Sequence, residues 1–283
     1  MKNFYDSKDI PCFGVAGNFT GHLEQAGEAI DFANVKTKEA NAPKAIFPTY
    51  IPADSGIPEF LSVFPFDSKT IIFPKGEEKL QIEPECALIF NATWNDKTLV
   101  DIKPVCFGAS NDCSIRKQGA KKISQKKNWG KCSKGFSQNQ ISLEAFENDC
   151  ILDDYRIASF LIRNAEVYDY GENSAVRNYS YIYKKLTDWM LEKFNGQKDE
   201  GPAEDIHNYL LAAGCPSQIM VSIGATRYTP WGESNFLQNG DKAVVVVYPE
   251  SKYNPEQIKK MVATGDFKDP LISALVQTVE IVL

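Results

Sequence analysis

Short apolar runs punctuated by proline and glycine fill the first 110 residues, with no helical pattern between them. The runs are "PKAIFPTYIP", "KTIIFP", "KLQIEPECALIF" and "TLVDIKPVCFGAS". Runs of this length, ended by turn-forming residues, read as strands. A doubly wound sheet needs a crossover helix between its parallel strands, and this order supplies none. The expected class is α+β and β-rich. Helical patterns come later. Ile182, Leu186, Trp189 and Met190 recur at helical spacing within 180–194, and Asn195-Gly196 offers a stop. In 203–213, Ile206, Leu210 and Leu211 share a face between Pro202 and the Gly214/Pro216 pair. Asn254 caps a third helix that ends at Gly265. "KAVVVVYP" and the terminal "TVEIVL" read as strands.

The 283 residues are enough for a sizeable core, and 43% of them are hydrophobic. A net charge of −6 disfavours a general nucleic-acid binder. The longest apolar run, "AVVVVY", falls far short of the roughly 20 residues of a membrane span. The opening "MKNFYDSKDIPCFG" carries charges where an export signal needs an apolar stretch, so a cytoplasmic protein is expected. Seven cysteines, none in a CxxC pair, suit reduced thiols better than disulfides or a zinc site.

"QIEPECALIF" holds the chemistry. Glu83 and Glu85 would project from one strand face, about 7 Å apart. Carboxylates that close repel unless a cation or water relieves them. Pro84 cannot donate to a ladder, which suggests an edge or mouth position. Two readings stand: a solvated strand edge, or part of a cation site. A hard divalent cation needs further oxygens. Asp112, in "FGASNDCSIR", is either a turn former or the third ligand.

These segments resemble the fumarylacetoacetate hydrolase family, whose members carry a Glu-x-Glu strand followed by an N-D-x-S-x-R segment. Asn111, Asp112, Ser114 and Arg116 match the latter. "VAGNFTGHLEQAG" is similar to the family's upstream segment through Asn18, Phe19 and His22. "NWGKCSKGFS" is similar to its tryptophan-lysine-Gly-Phe segment and places Lys131 at the active-site lysine. "VSIGATRYTPWGESNFLQNGDKAVV" resembles its closing segment through Gly224, Leu237, Gly240 and Asp241. The resemblance implies a mixed β-roll with peripheral helices. Residues 1–50 would form a small region packed on a 51–283 core, with a helical elaboration at 138–205. It implies that Glu83, Glu85 and Asp112 hold Mg²⁺, Mn²⁺ or Ca²⁺, and that His22 and Lys131 are catalytic. Asn18, Arg116, Gly224 and Thr226 would meet a small anionic keto-acid substrate, and the chain would be a homodimer.

The departures from that pattern bear on function. Gln25 stands where the family places a water-activating Glu; Glu24 and Glu28 are nearby acids but out of phase for the same role on a regular helical turn. Phe47 replaces a family lysine, "IGAT" replaces "TGTP", and Lys117 replaces an Asp. Two function classes follow. One is a metal-dependent enzyme that hydrolyses a carbon–carbon bond, decarboxylates or isomerises a keto or enol acid through a metal-stabilised enolate. The other is a non-catalytic or regulatory protein that keeps a metal or small-anion site. His207, beside an apolar helix face, reads as structural. The eight basic residues from Arg116 to Lys134 read as a solvated face, an electropositive rim for an anionic substrate, or a phosphate-contact patch.

Overall fold

A computed structural model describes residues 4–32, 35, 37–117 and 119–281. The larger sheet runs Ala45–Tyr50, Cys12–Ala16, Gln218–Ser222, Pro84–Asn95, Thr98–Asn111 and Gly135–Phe136, with Ile141–Ser142 also on Thr98–Asn111. The smaller sheet runs Glu166–Ala175, Tyr155–Arg163, Lys242–Pro249, Ser273–Ile281 and Thr70–Phe73. Most neighbours are antiparallel; Cys12–Ala16 with Gln218–Ser222, and Ser273–Ile281 with Thr70–Phe73, are parallel. The sheets pack through Leu88, Phe90 and Phe107 on one side and Ile157, Leu161, Val245 and Val247 on the other, all in one buried cluster.

The unbroken "AVVVVY" run is explained by burial on both faces. Val245 and Val247 join that cluster, while Val244, Val246 and Tyr248 pack with Ile258 and Val262 of the Pro255–Thr264 helix. A strand covered on both sides has no solvent face to alternate with. The helix is capped as its sequence predicts. Asn254 accepts from Gln257 N, and Gly265 closes it at φ 71°. The helix predicted in 180–194 spans Tyr183–Gly196, and that predicted in 203–213 spans Ile206–Ala212. The predicted terminal strand is part of Ser273–Ile281; residues 282 and 283 lie outside the described residues.

Two segments differ from expectation. Residues 1–50 contribute Cys12–Ala16 and Ala45–Tyr50 to the larger sheet itself. Segment 138–205 is not a helical elaboration: besides one long helix it supplies the hairpin Tyr155–Arg163/Glu166–Ala175. Asn164 and Ala165 turn this hairpin at φ 51° and 65°, the positive values that a two-residue type I′ turn demands. Ala165 is an uncommon residue there, so the turn carries no glycine signal in the sequence.

The hairpin Pro84–Asn95/Thr98–Asn111 positions the site. Its tip alternates between exposed and half-buried residues from Asn91 to Asn95, while its base is buried. Antiparallel register sets the start of one strand beside the end of the next, so Pro84 faces Asn111 and Glu85 faces Ser110. Pro84 sits inside the sheet, and as the first residue of its strand it is tolerated there.

Candidate functional site

Register alone brings the three carboxylates together. Glu83 lies just before the Pro84–Asn95 strand, Glu85 lies on it, and Asp112 follows the Thr98–Asn111 strand. Asp112 N donates to Glu83 O at 3.0 Å and extends the pairing past the strand ends. Asn111 braces the junction: its Oδ1 accepts from Glu83 N at 3.2 Å and its Nδ2 donates to Gln277 Oε1 at 3.0 Å. One carboxylate oxygen from each of Glu83, Glu85 and Asp112 lies within 4.8 Å of the others. All three side chains are buried, at 3%, 1% and 2% exposure, so the solvated-edge reading does not hold.

Buried like charges demand compensation, and the chain supplies it unevenly. Lys127 Nζ lies 2.5 Å from Glu83 Oε2 and 2.8 Å from Asp112 Oδ2. Arg116 Nη2 lies 2.8 Å from Glu83 Oε1, and Lys134 Nζ 3.2 Å from Asp112 Oδ1. Burial alone would push Glu83 up, but Lys127 and Arg116 outweigh it and hold the carboxyl well below the usual range. Among the described residues Glu85 has no such partner. Its Oε2 accepts from Gly224 N at 2.7 Å, while burial and then the charges of Asp112 and Glu83 push it well up. Glu83 Oε1 and Asp112 Oδ2 accept no well-aligned hydrogen bond despite their nearby cations. Close-set buried carboxylates with unused lone pairs and one under-compensated member fit a hard divalent cation.

His22 stands beside this cluster. Its Nδ1 lies 2.9 Å from Thr226 O. A carbonyl oxygen only accepts, so Nδ1 carries the proton and Nε2 keeps its lone pair. That Nε2 is buried and has no partner among the described residues. Burial lowers the imidazole's pKa, more than the nearby charge of Glu83 raises it. His22, Glu28, Glu83, Glu85, Lys127 and Phe47 line a cavity of about 20 Å³. A space of that size holds a single water. Glu28 also lines a much larger open cavity of about 800 Å³, together with Gln25, Gln81, Arg116, Lys126 and Phe236.

The acid beside His22 is Glu28. It is 7% exposed and accepts from Arg116 Nη1 at 2.8 Å and Lys126 Nζ at 3.0 Å. Gln25 does other work. Its Oε1 accepts from Tyr228 N at 2.8 Å and its Nε2 donates to Tyr228 O at 3.1 Å. This clamp holds the 224–228 segment that carries the partner of His22, and a carboxylate could not make both bonds. Glu24 is exposed and takes no part.

Several expected roles shift. Lys131 is exposed, while Lys127 and Lys134 reach the carboxylates. The signal for Lys134 is its place directly before the Gly135–Phe136 strand, which pairs with Ser110 and Asn111. Lys127 has no such signal, since basic residues crowd its neighbourhood without periodicity. Asn18 is buried but fully spent on backbone. It donates to Tyr181 O and Ile223 O and accepts from Tyr181 N, so it pins loops together. Arg116 is saturated by Gln81, Glu28, Tyr228 and Glu83. Gly224, at φ 123°, presents its N–H to Glu85 and its carbonyl to Tyr179. Thr226 keeps a buried hydroxyl with no partner. His207 meets Phe194 O on its helix, away from the site. Of the basic run, Arg116, Lys126, Lys127 and Lys134 turn inward to acids, so the run is half interior.

The fold is that of the fumarylacetoacetate hydrolase family. A solved structure from Oleispira antarctica, described as a fumarylacetoacetate isomerase/hydrolase, superposes with a TM-score of 0.54 at 12% identity, over 95% of this chain and 93% of that one. A 2-keto-3-deoxy-D-arabinonate dehydratase complexed with magnesium and 2,5-dioxopentanoate gives 0.56 at 13%, over 96% and 73%. A 5-carboxymethyl-2-hydroxymuconate delta-isomerase from Mycobacterium smegmatis gives 0.52 at 13%, over 97% and 80%. Within that fold the chain belongs to the family of unknown function DUF5718, whose model matches residues 28–279. No curated protein matches the chain in sequence. Among the described residues, no helix is long and apolar enough to cross a membrane.

Proposed function

We propose that the chain is a divalent-cation-dependent enzyme acting on a small keto or enol acid. One observation carries the reading: three buried carboxylates converge to within 4.8 Å beside an imidazole nitrogen that has no partner among the described residues. Glu83, Glu85 and Asp112 would hold Mg²⁺, Mn²⁺ or Ca²⁺. Such a cation, when bound, supplies a Lewis acid for the carbonyl and carboxylate oxygens of a keto acid.

The chain's own residues do the rest. His22 Nε2 takes a proton from the carbon beside the carbonyl, or from a water in the small cavity. The Thr226 carbonyl fixes the tautomer, and burial keeps the ring in its neutral, proton-accepting form. Glu28 faces the same cavity and steadies the imidazolium once formed. Arg116 and Lys126 hold Glu28 ionised and oriented, and Gln25 keeps the Thr226 segment in place. The substrate enters from the large cavity, past Glu28. Carbon–carbon hydrolysis needs the proton taken from water and keto–enol isomerisation the proton taken from carbon, whereas decarboxylation leaves an enolate to which a protonated His22 would return a proton. The solved relatives with this fold include a dehydratase and an isomerase.

The test is a panel of β-keto acids and acylpyruvates assayed with Mg²⁺ or Mn²⁺. Turnover that is lost in His22→Gln supports the reading. Intact cation binding with no turnover on any member overturns it in favour of a non-catalytic cation-binding protein. The close contact of Lys127 with two of the carboxylates is the observation on that second side.

A further inference from the structure

Among the described residues, Lys127 is the single basic side chain that bridges two members of the carboxylate triad. Its Nζ lies 2.5 Å from Glu83 Oε2 and 2.8 Å from Asp112 Oδ2, and 3.4 Å from Asp112 O. Its side chain is 2% exposed. The other two basic partners sit differently. Arg116 meets Glu83 through Oε1 and is held by Gln81, Glu28 and Tyr228 as well. Lys134 meets Asp112 through Oδ1 and is also tied to Cys113 O.

We propose that Lys127 is the resident counter-ion of the triad, and that a divalent cation binds there by displacing its ammonium from Glu83 and Asp112. The inference rests on the reading of the triad as a cation site. A divalent cation approaches carboxylate oxygens to about 2.0–2.6 Å. The Lys127 ammonium already stands at 2.5 Å from Glu83 Oε2, inside that range, and at 2.8 Å from Asp112 Oδ2, just beyond it. If both kept those oxygens, a dication and an ammonium would stand a few Å apart in a buried site and repel strongly.

The structure offers the displaced ammonium a place. Lys127 lines the small cavity shared with Glu28, Glu85 and Phe47, and its Nζ already lies 5.1 Å from the centre of the Phe47 ring. An aromatic face tolerates a cation. Glu28, on the same cavity wall, offers an opposite charge. Lys127 would thus leave two carboxylates and turn to the wall where His22 and the incoming anion meet. Cation loading and the arming of the cavity with a positive charge would be one event.

The test is calorimetric titration of the full chain with Mn²⁺, for the wild type, Lys127→Met and the exposed control Lys131→Met. Loss of a competing charge at contact distance predicts that Lys127→Met binds Mn²⁺ at least about tenfold tighter, the scale of close charge–charge effects on site occupancy. Lys131→Met should match the wild type. Equal or weaker binding by Lys127→Met overturns the proposal while leaving the cation site standing. Absence of binding in both overturns the cation site itself, and the proposal with it. If Lys127→Met does not fold, a crystal structure of the wild type soaked in Mn²⁺ decides. Mn²⁺ on the triad with Lys127 Nζ withdrawn from both carboxylates supports displacement. Mn²⁺ with both contacts intact overturns it.

Discussion

Arg116 Nη1 donates to Glu28 Oε1 at 2.8 Å, and this pair sets a buried acid beside His22 where the chain carries Gln25 instead of an acid. The acid comes from three positions further along the chain, past the end of the short His22–Gln25 helix. Burial pushes Glu28 up, but Arg116, Lys127 and Lys126 together outweigh it and hold the carboxyl below the usual range, so it is ionised near neutral pH. Glu28→Gln should abolish turnover while leaving Mn²⁺ binding to the triad in place. It should also destabilise, because Arg116 and Lys126 lose a buried counter-charge, at a cost of about 3–5 kcal/mol. Chemical denaturation and calorimetry on the same variant separate the two effects.

Gln25→Glu, which restores the acid of the family pattern, should be harmful. The carboxylate loses the donated bond to Tyr228 O and sets two acceptors against each other. An unmet buried carbonyl costs about 1–3 kcal/mol. Thermal unfolding should show a lower midpoint for Gln25→Glu than for the wild type. A midpoint equal to the wild type would remove the clamp from the account.

His22 should titrate below its ordinary 6.5, because burial disfavours the charged ring. Two-dimensional NMR of the imidazole, with Nδ1 protonated and Nε2 bare at pH 7, checks both the direction and the tautomer. Any turnover should then fall off on the acid side, with its midpoint below pH 6.5. A ring that titrates above that value would place the base elsewhere.

The triad should fail one member at a time. Glu85→Gln and Asp112→Asn should each weaken Mn²⁺ binding by about tenfold or more, since a hard cation loses a charged oxygen ligand. Lys131→Ala should change neither binding nor stability beyond about 0.5 kcal/mol, as for most exposed positions. Calorimetry on the three variants is sufficient. An unchanged affinity in both carboxylate variants would dissolve the metal centre.

Glu204 gives a pH test of stability away from the triad. It is buried, its Oε1 accepts from Ser124 Oγ at 3.0 Å, and its Oε2 has no partner. Burial pushes its carboxyl up to about 7. The folded chain therefore binds a proton more readily than the unfolded chain between the ordinary carboxylate range and pH 7. The sign follows: stability carried by Glu204 is present at low pH and is lost as pH rises through that window. Glu204→Gln removes the titration, so the wild type should lose stability relative to the variant as pH climbs toward 7. Melting curves of both proteins across pH 5 to 8 provide the difference. A constant gap would show that Glu204 does not titrate there.

Local sequence signals mark many of the elements, though not the Tyr155–Arg163/Glu166–Ala175 hairpin, and the family resemblance marks the carboxylates. Proline and glycine punctuation marked the strands, apolar spacing marked the Tyr183–Gly196 helix, and Asn254 and Gly265 marked another. Such signals are local: each is set by backbone preferences and burial within one element. Glu83, Glu85 and Asp112 were legible through the family resemblance of their two segments. The register that sets those segments side by side at the open end of the hairpin came from the structure. Only the tertiary structure decided what surrounds them. Lys127, Lys134 and Glu28 reach the site on long side chains from loops and short turns, where no period gives a direction. Their orientation is settled by the cost of burying charge, which only the assembled site can balance. The same cost explains why Lys131, nearer the expected motif position, stays in water, and why Glu28, paired with Arg116 and Lys126, lines the cavity at His22 while Gln25 clamps a neighbouring loop.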